Sequence, residues 1–115
     1  MSAWRETGPL DELERTGRCV ARVEGREVGV LVTEDGLRAI CNRCPHHGAP
    51  LCLGRLCPRE AGTPGRYTAP AAAVLRCPWH GWEFELESGR CLDDPALRAT
   101  VYPVRVVDGR VEILV

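Results

Sequence analysis

The sequence predicts an all-β protein built as a single domain, and three observations support this class. Residues 101–107 and 111–115 are valine-rich runs divided by Asp108-Gly109, a dipeptide typical of tight hairpins. Residues 18–32 alternate apolar and polar side chains on both sides of a second turn signal, Glu24-Gly25. No stretch has a sustained helical period, and 115 residues give room for one domain but not for two.

Further strands are predicted between these two hairpins. Asp35-Gly36 turns the chain from the first hairpin into a third strand at residues 37–41, which completes a meander. Residues 82–86 alternate large apolar and acidic side chains and reach a turn at Ser88-Gly89. Residues 90–92 are then expected to pair back as a third hairpin.

Three segments show no regular period. Residues 10–15 and 94–99 are each long enough for one helical turn, but neither has a periodic apolar face, so no helix is predicted. Residues 53–70 contain six glycines and prolines and no repeating pattern. We therefore expect an irregular insertion over about residues 52–73.

Composition excludes several classes of protein. Apolar residues make up 44% and charged residues 27% of the chain, with a net charge of −1, so no basic surface for nucleic acid is expected. The longest apolar stretch, residues 69–75, is too short to span a membrane, and no signal-peptide pattern opens the chain. We expect a cytoplasmic protein whose seven cysteines are metal ligands or buried thiols rather than disulfides.

Two short segments share a pattern of cysteine, proline, histidine and glycine. They are C-P-H-H-G at residues 44–48 and C-P-W-H-G at residues 77–81, and each follows an apolar run. Each segment supplies a sulfur and an imidazole, so the pair offers the Cys₂His₂ donor set of a metal site.

A structural zinc site is the alternative use of these residues. Cys41 and Cys44 form a C-x-x-C pair, and Cys77 with His80 would complete a Cys₃His site of acceptable spacing. This arrangement leaves His46 unused and gives no role to the matched prolines and glycines. The Cys₂His₂ set of the two matched segments is therefore preferred to this one, and Cys41 is then expected to be a buried thiol at the end of a strand.

The two segments resemble the signature of Rieske iron–sulfur proteins, in which C-x-H is followed later by C-x-x-H. Residues 77–84, C-P-W-H-G-W-E-F, resemble the second cluster loop of Rieske ferredoxins and ring-hydroxylating oxygenases, and residues 49–51 resemble the continuation of the first loop. Residues 102–111 resemble the closing hairpin of that family. The resemblance implies a Rieske-type antiparallel β-sandwich over residues 1–115, with a small cluster-binding subdomain at about residues 41–86.

By the same resemblance, the cofactor is one Rieske [2Fe–2S] cluster. Cys44 and Cys77 would hold the inner iron, and His46 and His80 would hold the outer iron. Prolines beside the cysteines would fix φ, glycines would permit tight turns, and tryptophans would shield the cluster from water. The residues expected in these surrounding roles are Pro45, Gly48, Pro78, Trp79, Gly81 and Trp82.

The loops depart from those of high-potential Rieske proteins, which carry an additional disulfide and hydroxyl groups near the sulfurs. Ala49 and Trp79 stand at the positions of that disulfide, and Trp82 and Phe84 stand at those of the hydroxyls. Fewer hydrogen bonds to sulfur stabilise the reduced cluster less, so we expect a potential at the low end of the Rieske range. The interval between the loops is also about twice the usual length, which costs little closure entropy.

The function implied by the resemblance is electron transfer in a multicomponent oxidoreductase. The chain would take single electrons from a flavin-dependent reductase and pass them to a Rieske non-haem iron oxygenase. Once His46 and His80 are used, the sequence offers no second set of ligands for mononuclear iron, so we expect a carrier and not an enzyme. The alternatives are a small Rieske-fold subunit of a nitrite-reductase-like complex and a zinc-stabilised binding module.

The remaining cysteines and one histidine receive simpler interpretations. Cys19 and Cys91 fall in strand-like runs and are expected in the core. Cys52 and Cys57, in the insertion, are expected to be ordinary thiols because no further ligand completes a second metal site. His47 is expected to lie in solvent.

Acidic residues after the second loop form a further charge pattern. Alternation predicts that Glu83, Glu85 and Glu87 share one face of a strand. Such a face would attract a basic redox partner, but any solvated edge strand shows the same pattern, and we prefer that interpretation.

Overall fold

The computed structural model describes residues 2–33, 36–45, 48–58, 73–79 and 81–115. Within these ranges it contains ten strands, one α-helix and one 3₁₀ turn. All the strand pairs are antiparallel, so the predicted all-β class is confirmed. No helix in these ranges is both long enough and apolar enough to cross a membrane.

The elements form three sheets. The strands are β1 (Trp4–Pro9), β2 (Arg18–Val23), β3 (Arg26–Thr33), β4 (Gly36–Cys41), β5 (Arg55–Pro58), β6 (Ala73–Arg76), β7 (Glu83–Glu85), β8 (Val101–Tyr102), β9 (Val104–Val107) and β10 (Arg110–Leu114). Helix α1 spans Leu10–Thr16, and the 3₁₀ turn spans Leu51–Leu53. The strand orders are β1-β10-β9 in the first sheet, β2-β3-β4-β8 in the second and β5-β6-β7 in the third.

The first and last predicted hairpins are confirmed, and both close in the same way. At the β2–β3 turn Glu24 has φ 53° and Gly25 has φ 77°, and at the β9–β10 turn Asp108 has φ 50° and Gly109 has φ 74°. Two consecutive positive φ angles define the type I′ turn, whose twist matches that of paired strands. The third strand of the meander, β4, also forms, although Asp35 lies outside the described residues.

The four-stranded sheet is the middle layer of the molecule and is covered on both faces. Val28 and Val30 of β3 join Ala39 in a first core shared with α1 and β10. Leu31 and Ile40 belong to a second core on the opposite face, which contains both motif cysteines. Because β3 is buried on both faces, its centre is a continuous apolar run rather than an alternating one.

The prediction that no helix forms is wrong at α1. This seven-residue helix ends at Gly17, whose left-handed φ of 86° lets its N–H donate to the carbonyl of Leu13. Leu13 is buried in the first core, while Asp11 and Arg15 lie at the helix ends that favour their charges. One buried side chain in two turns gives too short an apolar pattern to be recognised from sequence.

Strand β1 is missing from the sequence prediction. It pairs with β10, with Trp4 opposite Leu114 and a register shift between Glu6 and Gly8. Its sequence, W-R-E-T-G-P, has neither alternation nor a β-branched run. The strand therefore forms because β10 offers an edge, not because of its own propensity.

The predicted irregular insertion is wrong at its start. Arg55–Pro58 forms strand β5, which pairs antiparallel with β6 and places Arg55 opposite Arg76. Residues 59–72 of the insertion lie outside the described residues. Residues 55–58 of the segment after the first motif therefore belong to the third sheet.

The third predicted hairpin is confirmed as a short return pairing. Phe84 of β7 bridges Cys91, and the N–H of Glu85 donates to the carbonyl of Arg90 at 2.9 Å. Glu85 is only 8% exposed, however, and its carboxylate lies 3.4 Å from the guanidinium of Arg90. The predicted solvated face of three glutamates is therefore wrong, because β7 ends at Glu85 and the chain turns before Glu87.

Candidate metal centre

The first motif segment folds into a loop closed by two backbone hydrogen bonds. The N–H of Cys44 donates to the carbonyl of Ala49 at 2.8 Å, and the N–H of Gly48 donates to the carbonyl of Cys44 at 2.7 Å. Gly48 has φ 74°, a left-handed value that glycine adopts without strain. The loop therefore holds Cys44 by both of its backbone polar groups.

The second motif segment repeats this frame. The N–H of Cys77 donates to the carbonyl of Trp82 at 2.7 Å, and the N–H of Gly81 donates to the carbonyl of Cys77 at 3.0 Å. Gly81 has φ 72°, nearly the value found in the first loop. The two loops thus present their cysteines on the same backbone geometry.

Both loop cysteines lie in the second core. Cys44 is 1% exposed and Cys77 is 2% exposed, and they share that core with Leu31, Ile40 and Phe84. None of the six cysteines whose side chains are described forms a disulfide. Two buried thiols on matched loops in a dry, apolar setting fit the cysteine half of a [2Fe–2S] site, since solvent access is one determinant of such a cluster's potential.

The expected imidazole ligands, His46 and His80, lie outside the described residues, as does His47. Pro45 and Trp79, which precede the two expected ligands in the chain, are both exposed. The described parts of the loop tips therefore reach solvent. The assignment of the imidazole ligands stays a prediction from the sequence.

The zinc alternative requires Cys41 beside Cys44 and Cys77. In the described part of the chain, no three His, Cys, Asp or Glu side chains are grouped so that they could hold a metal ion. Cys41 instead ends β4, where its N–H donates to the carbonyl of Thr100 at 2.8 Å. The described residues therefore lend no support to a site with three sulfurs.

The two tryptophans of the second loop have different surroundings. Trp82 packs against the second core, whereas Trp79 is 58% exposed and its neighbour Pro78 is also exposed. Trp82 is therefore placed to exclude water from the nearby thiols. Trp79 instead presents an apolar ring to solvent.

An arginine precedes each loop cysteine, and the motifs alone predict no role for it. The Nε of Arg76 donates to the carbonyl of Gly81 at 3.2 Å, and a Cβ placed on Gly81 would lie 3.0 Å from that nitrogen. In the first loop, a Cβ on Gly48 would lie 3.5 Å from the Nε of Arg43. Each guanidinium group thus lies against the glycine of its own loop. The triplet R-C-P, present at both loops, is the sequence signal that reveals this pair.

The segment that follows the first loop is anchored to the central sheet. Arg18 of β2 donates to the carbonyls of Cys52 at 3.0 Å and Gly54 at 2.6 Å. The N–H of Cys52 donates to the side-chain oxygen of Asn42 at 2.7 Å, and its thiol lies over Gly29, where a Cβ would collide with it. Cys52 is therefore a packing residue, as expected for an ordinary thiol.

Alkaline pH is expected to destabilise the protein through buried thiols. Burial raises the pKa of Cys52 from 9.0 to about 12, and burial also raises the pKa of Cys19. The Cys52 thiol ionises at a lower pH in the unfolded state than in the folded state. Its contribution to the free energy of unfolding is therefore complete below the unfolded pKa of 9.0 and is lost as the pH rises towards 12. We expect the free energy of unfolding to fall by up to about 1.4 kcal/mol per pH unit in this window.

Urea denaturation of the wild type and Cys52→Ala across this alkaline window measures that slope. The variant is expected to lose stability more slowly than the wild type as the pH rises, whatever its stability at neutral pH. Equal slopes in the two proteins would contradict a role for the Cys52 thiol.

Comparison with known proteins gives one family. Residues 3–108 match the family model described as Rieske [2Fe-2S] domain. The chain is 34% identical over 95 residues to the oxygenase component of chloroacetanilide N-alkylformylase from Rhizorhabdus wittichii, covering 82% of this chain and 23% of that protein. It is 26% identical over 109 residues to the ferredoxin component of the naphthalene 1,2-dioxygenase/salicylate 5-hydroxylase systems of Ralstonia sp, covering 94% and 91%.

Solved structures show the same architecture. A Mycobacterium tuberculosis protein described as the small subunit of an NADH-dependent nitrite reductase superposes with a TM-score of 0.79 at 27% identity, covering 100% of this chain and 96% of that one. The Rieske-type fold expected from the motifs is therefore confirmed. The chain spans less than a quarter of the length of the first curated relatives that it matches.

Proposed function

This chain belongs to the Rieske [2Fe-2S] domain family, and from that membership we propose that it carries single electrons from a flavin-dependent reductase to a Rieske non-haem iron oxygenase. The observation that carries the proposal is the pair of matched loops, which bury Cys44 and Cys77 in one core. The ferredoxin component from Ralstonia, which this chain matches over nearly its whole length, supports a carrier role. The protein is then a component of a multicomponent oxidoreductase and works in the cytoplasm, where thiols stay reduced.

The proposed ligands are the two cysteines and two histidines of the loops. Cys44 and Cys77 would hold one iron by thiolates, and His46 and His80 would hold the other by imidazoles. When bound, such a cluster accepts and returns one electron at a higher potential than an all-cysteine cluster of the plant type, because neutral imidazoles replace two thiolates. The Rieske [2Fe–2S] cluster is the cofactor of the family.

The described residues contribute positioning and exclusion of water. Each loop cysteine is fixed by hydrogen bonds on both its N–H and its carbonyl, which limits movement of its sulfur. Phe84 and Trp82 pack in the same core as the thiols and keep solvent away from them. The exposed Pro45 and Trp79 leave this side of the site open to a partner's surface.

A second candidate function is the small subunit of a nitrite reductase. The observation that favours it is the superposition on the Mycobacterium tuberculosis protein, which covers both chains almost completely. An assay of electron transfer distinguishes the two candidate functions. If the protein is a carrier for an oxygenase, NADH and a flavin-dependent reductase should reduce it, and a Rieske oxygenase should reoxidise it during turnover. Reoxidation only by a nitrite reductase catalytic subunit would favour the second candidate.

Replacing His46 with alanine is expected to abolish the Rieske EPR signal, whereas His47→Ala is expected to retain it. The first change leaves one iron a ligand short, and the second removes a neighbouring imidazole that has no proposed ligand role. EPR after dithionite reduction, together with iron and acid-labile sulfide assays, measures the difference. Loss of the signal in His47→Ala with retention in His46→Ala would reverse the assignment, and a colourless wild type containing zinc would reject the cluster.

A further inference from the structure

Most of the charged side chains described around the two loops are arginines. Between Gly36 and Trp82 the described residues include four arginines and no acidic side chain, although the whole chain has a net charge of −1. The chain has 15 arginines and no lysine, so guanidinium groups supply its side-chain positive charge at neutral pH. Arginines therefore outnumber carboxylates around the loops, although Glu83 stands opposite Arg76 in the ladder between β6 and β7.

A groove lined by further arginines runs from the first loop to the β2–β3 turn. The groove has a volume of about 650 Å³, and its lining includes Arg22, Arg26 and Arg43. The carboxylate among its described lining residues, Glu27, accepts a hydrogen bond from Asn42 at 3.3 Å. The groove thus extends the positive region beyond the loops.

Two exposed apolar side chains lie at the same end of the third sheet. Leu53 is 65% exposed and Trp79 is 58% exposed, more than any other large hydrophobic residue described. Because Arg55 pairs with Arg76, the residues before β5 and those after β6 leave the sheet at one end. Leu53 and Trp79 therefore lie at the end of the sheet where Cys77 begins the second loop.

We propose that this loop end, defined by Arg43, Leu53, Arg76 and Trp79, docks a redox protein whose surface carries carboxylates around an apolar centre. Arginines at the base of both loops steer and orient such an acidic partner, and the two apolar side chains become buried on contact. This partner is acidic, whereas a face of glutamates would attract a basic partner. This inference rests on the proposed electron-transfer function.

The test uses two protein probes, an acidic cytochrome and a basic cytochrome of similar potential. Calorimetric titration at low salt is expected to show tighter binding of the acidic cytochrome, with an affinity that falls as salt is added. Arg43→Gln and Arg76→Gln together are expected to weaken that binding by about tenfold. Arg15→Gln is the control. It removes an arginine from α1, on the opposite face of the central sheet, and is expected to change the affinity for the acidic cytochrome little.

Lysine variants separate charge from loop positioning. Arg43→Lys and Arg76→Lys keep the positive charge and are expected to retain the preference for the acidic cytochrome, even where the loop glycines lose their guanidinium contact. Stopped-flow oxidation of the reduced protein by each cytochrome is expected to follow the same order as binding. Trp79→Ser is expected to weaken binding without changing its salt dependence.

The outcomes distinguish this proposal from the proposed function. Equal affinity for both cytochromes, or an Arg15→Gln effect as large as that of the loop variants, would overturn the docking surface. A protein that lacks a Rieske spectrum but binds the acidic cytochrome in the expected pattern would keep the surface and reject electron transfer. A Rieske spectrum with no preference between the cytochromes would reject the surface alone.

Discussion

Replacing Cys77 with alanine is expected to abolish binding of the [2Fe–2S] cluster, whereas replacing Cys91 with alanine is expected to leave it intact. The two side chains are closely matched, because both are buried in the second core, at 2% and 1% exposure. They differ in backbone setting: Cys77 begins the second loop, and Cys91 bridges Phe84 in the return pairing. Iron content, acid-labile sulfide and visible absorption of the purified variants measure the effect.

Folding of the variants must be followed separately from metal content. Each alanine removes one buried sulfur, and we expect a similar cost of about 1 kcal/mol to the free energy of unfolding in both. Cys77→Ser, which keeps the size of the side chain, is expected to lose the native cluster as well. Full iron and sulfide in Cys77→Ala would show that the second loop does not supply a thiolate.

Gly89→Ala is expected to be among the most destabilising single substitutions in the described structure. Gly89 has φ 80°, and an added Cβ would collide with the carbonyl oxygen of Ala99 and lie 3.2 Å from Cγ1 of Val101. Its own backbone is fixed by hydrogen bonds to Glu85 and Ala99, so it cannot move aside cheaply. We expect the free energy of unfolding to fall by about 3 kcal/mol, because backbone strain and overpacking both destabilise the variant.

Gly109→Ala is the matched control for that substitution. Gly109 also lies in a tight turn, with φ 74°, but nothing lies within 4 Å of the position of its Cβ. In Gly109→Ala only backbone strain is expected, without overpacking. We therefore expect the free energy of unfolding to fall by about 1 kcal/mol. Urea denaturation of the two variants compares them directly, and equal losses would show that the contact with Ala99 relaxes without cost.

Local signals are sufficient for the hairpins but not for elements that depend on distant partners. Gly25 and Gly109 adopt without strain the positive φ that their turns require, so the sequence alone locates both turns. Strands β1 and β5 are stabilised by β10 and β6, which no local pattern reveals. Alternation wrongly places Glu85 in solvent, because the segment that pairs back with β7 sets Arg90 beside its carboxylate.

In the candidate site, too, the sequence predicts some features and misses others. The spacing of the two motifs predicts loops around Cys44 and Cys77, and the structure brings both cysteines into one core. The arginines that lie against the loop glycines escape prediction, because a charged residue beside a ligand has no sequence pattern until both loops are compared. The low potential expected from the missing hydroxyl positions stays a prediction, as do the two imidazole ligands.

The ladder between β5 and β6 has a consequence for how this protein changes over evolution. Arg55 stands opposite Arg76 and Pro58 opposite Ala73, so the last described residue of β5 lies beside the first described residue of β6. Closing a longer or shorter connection between two such points changes the free energy little. We therefore expect the number of residues between Pro58 and Ala73 to change over evolution at little cost to this ladder, so that a lineage can vary in length here while it inherits the same loop cysteines.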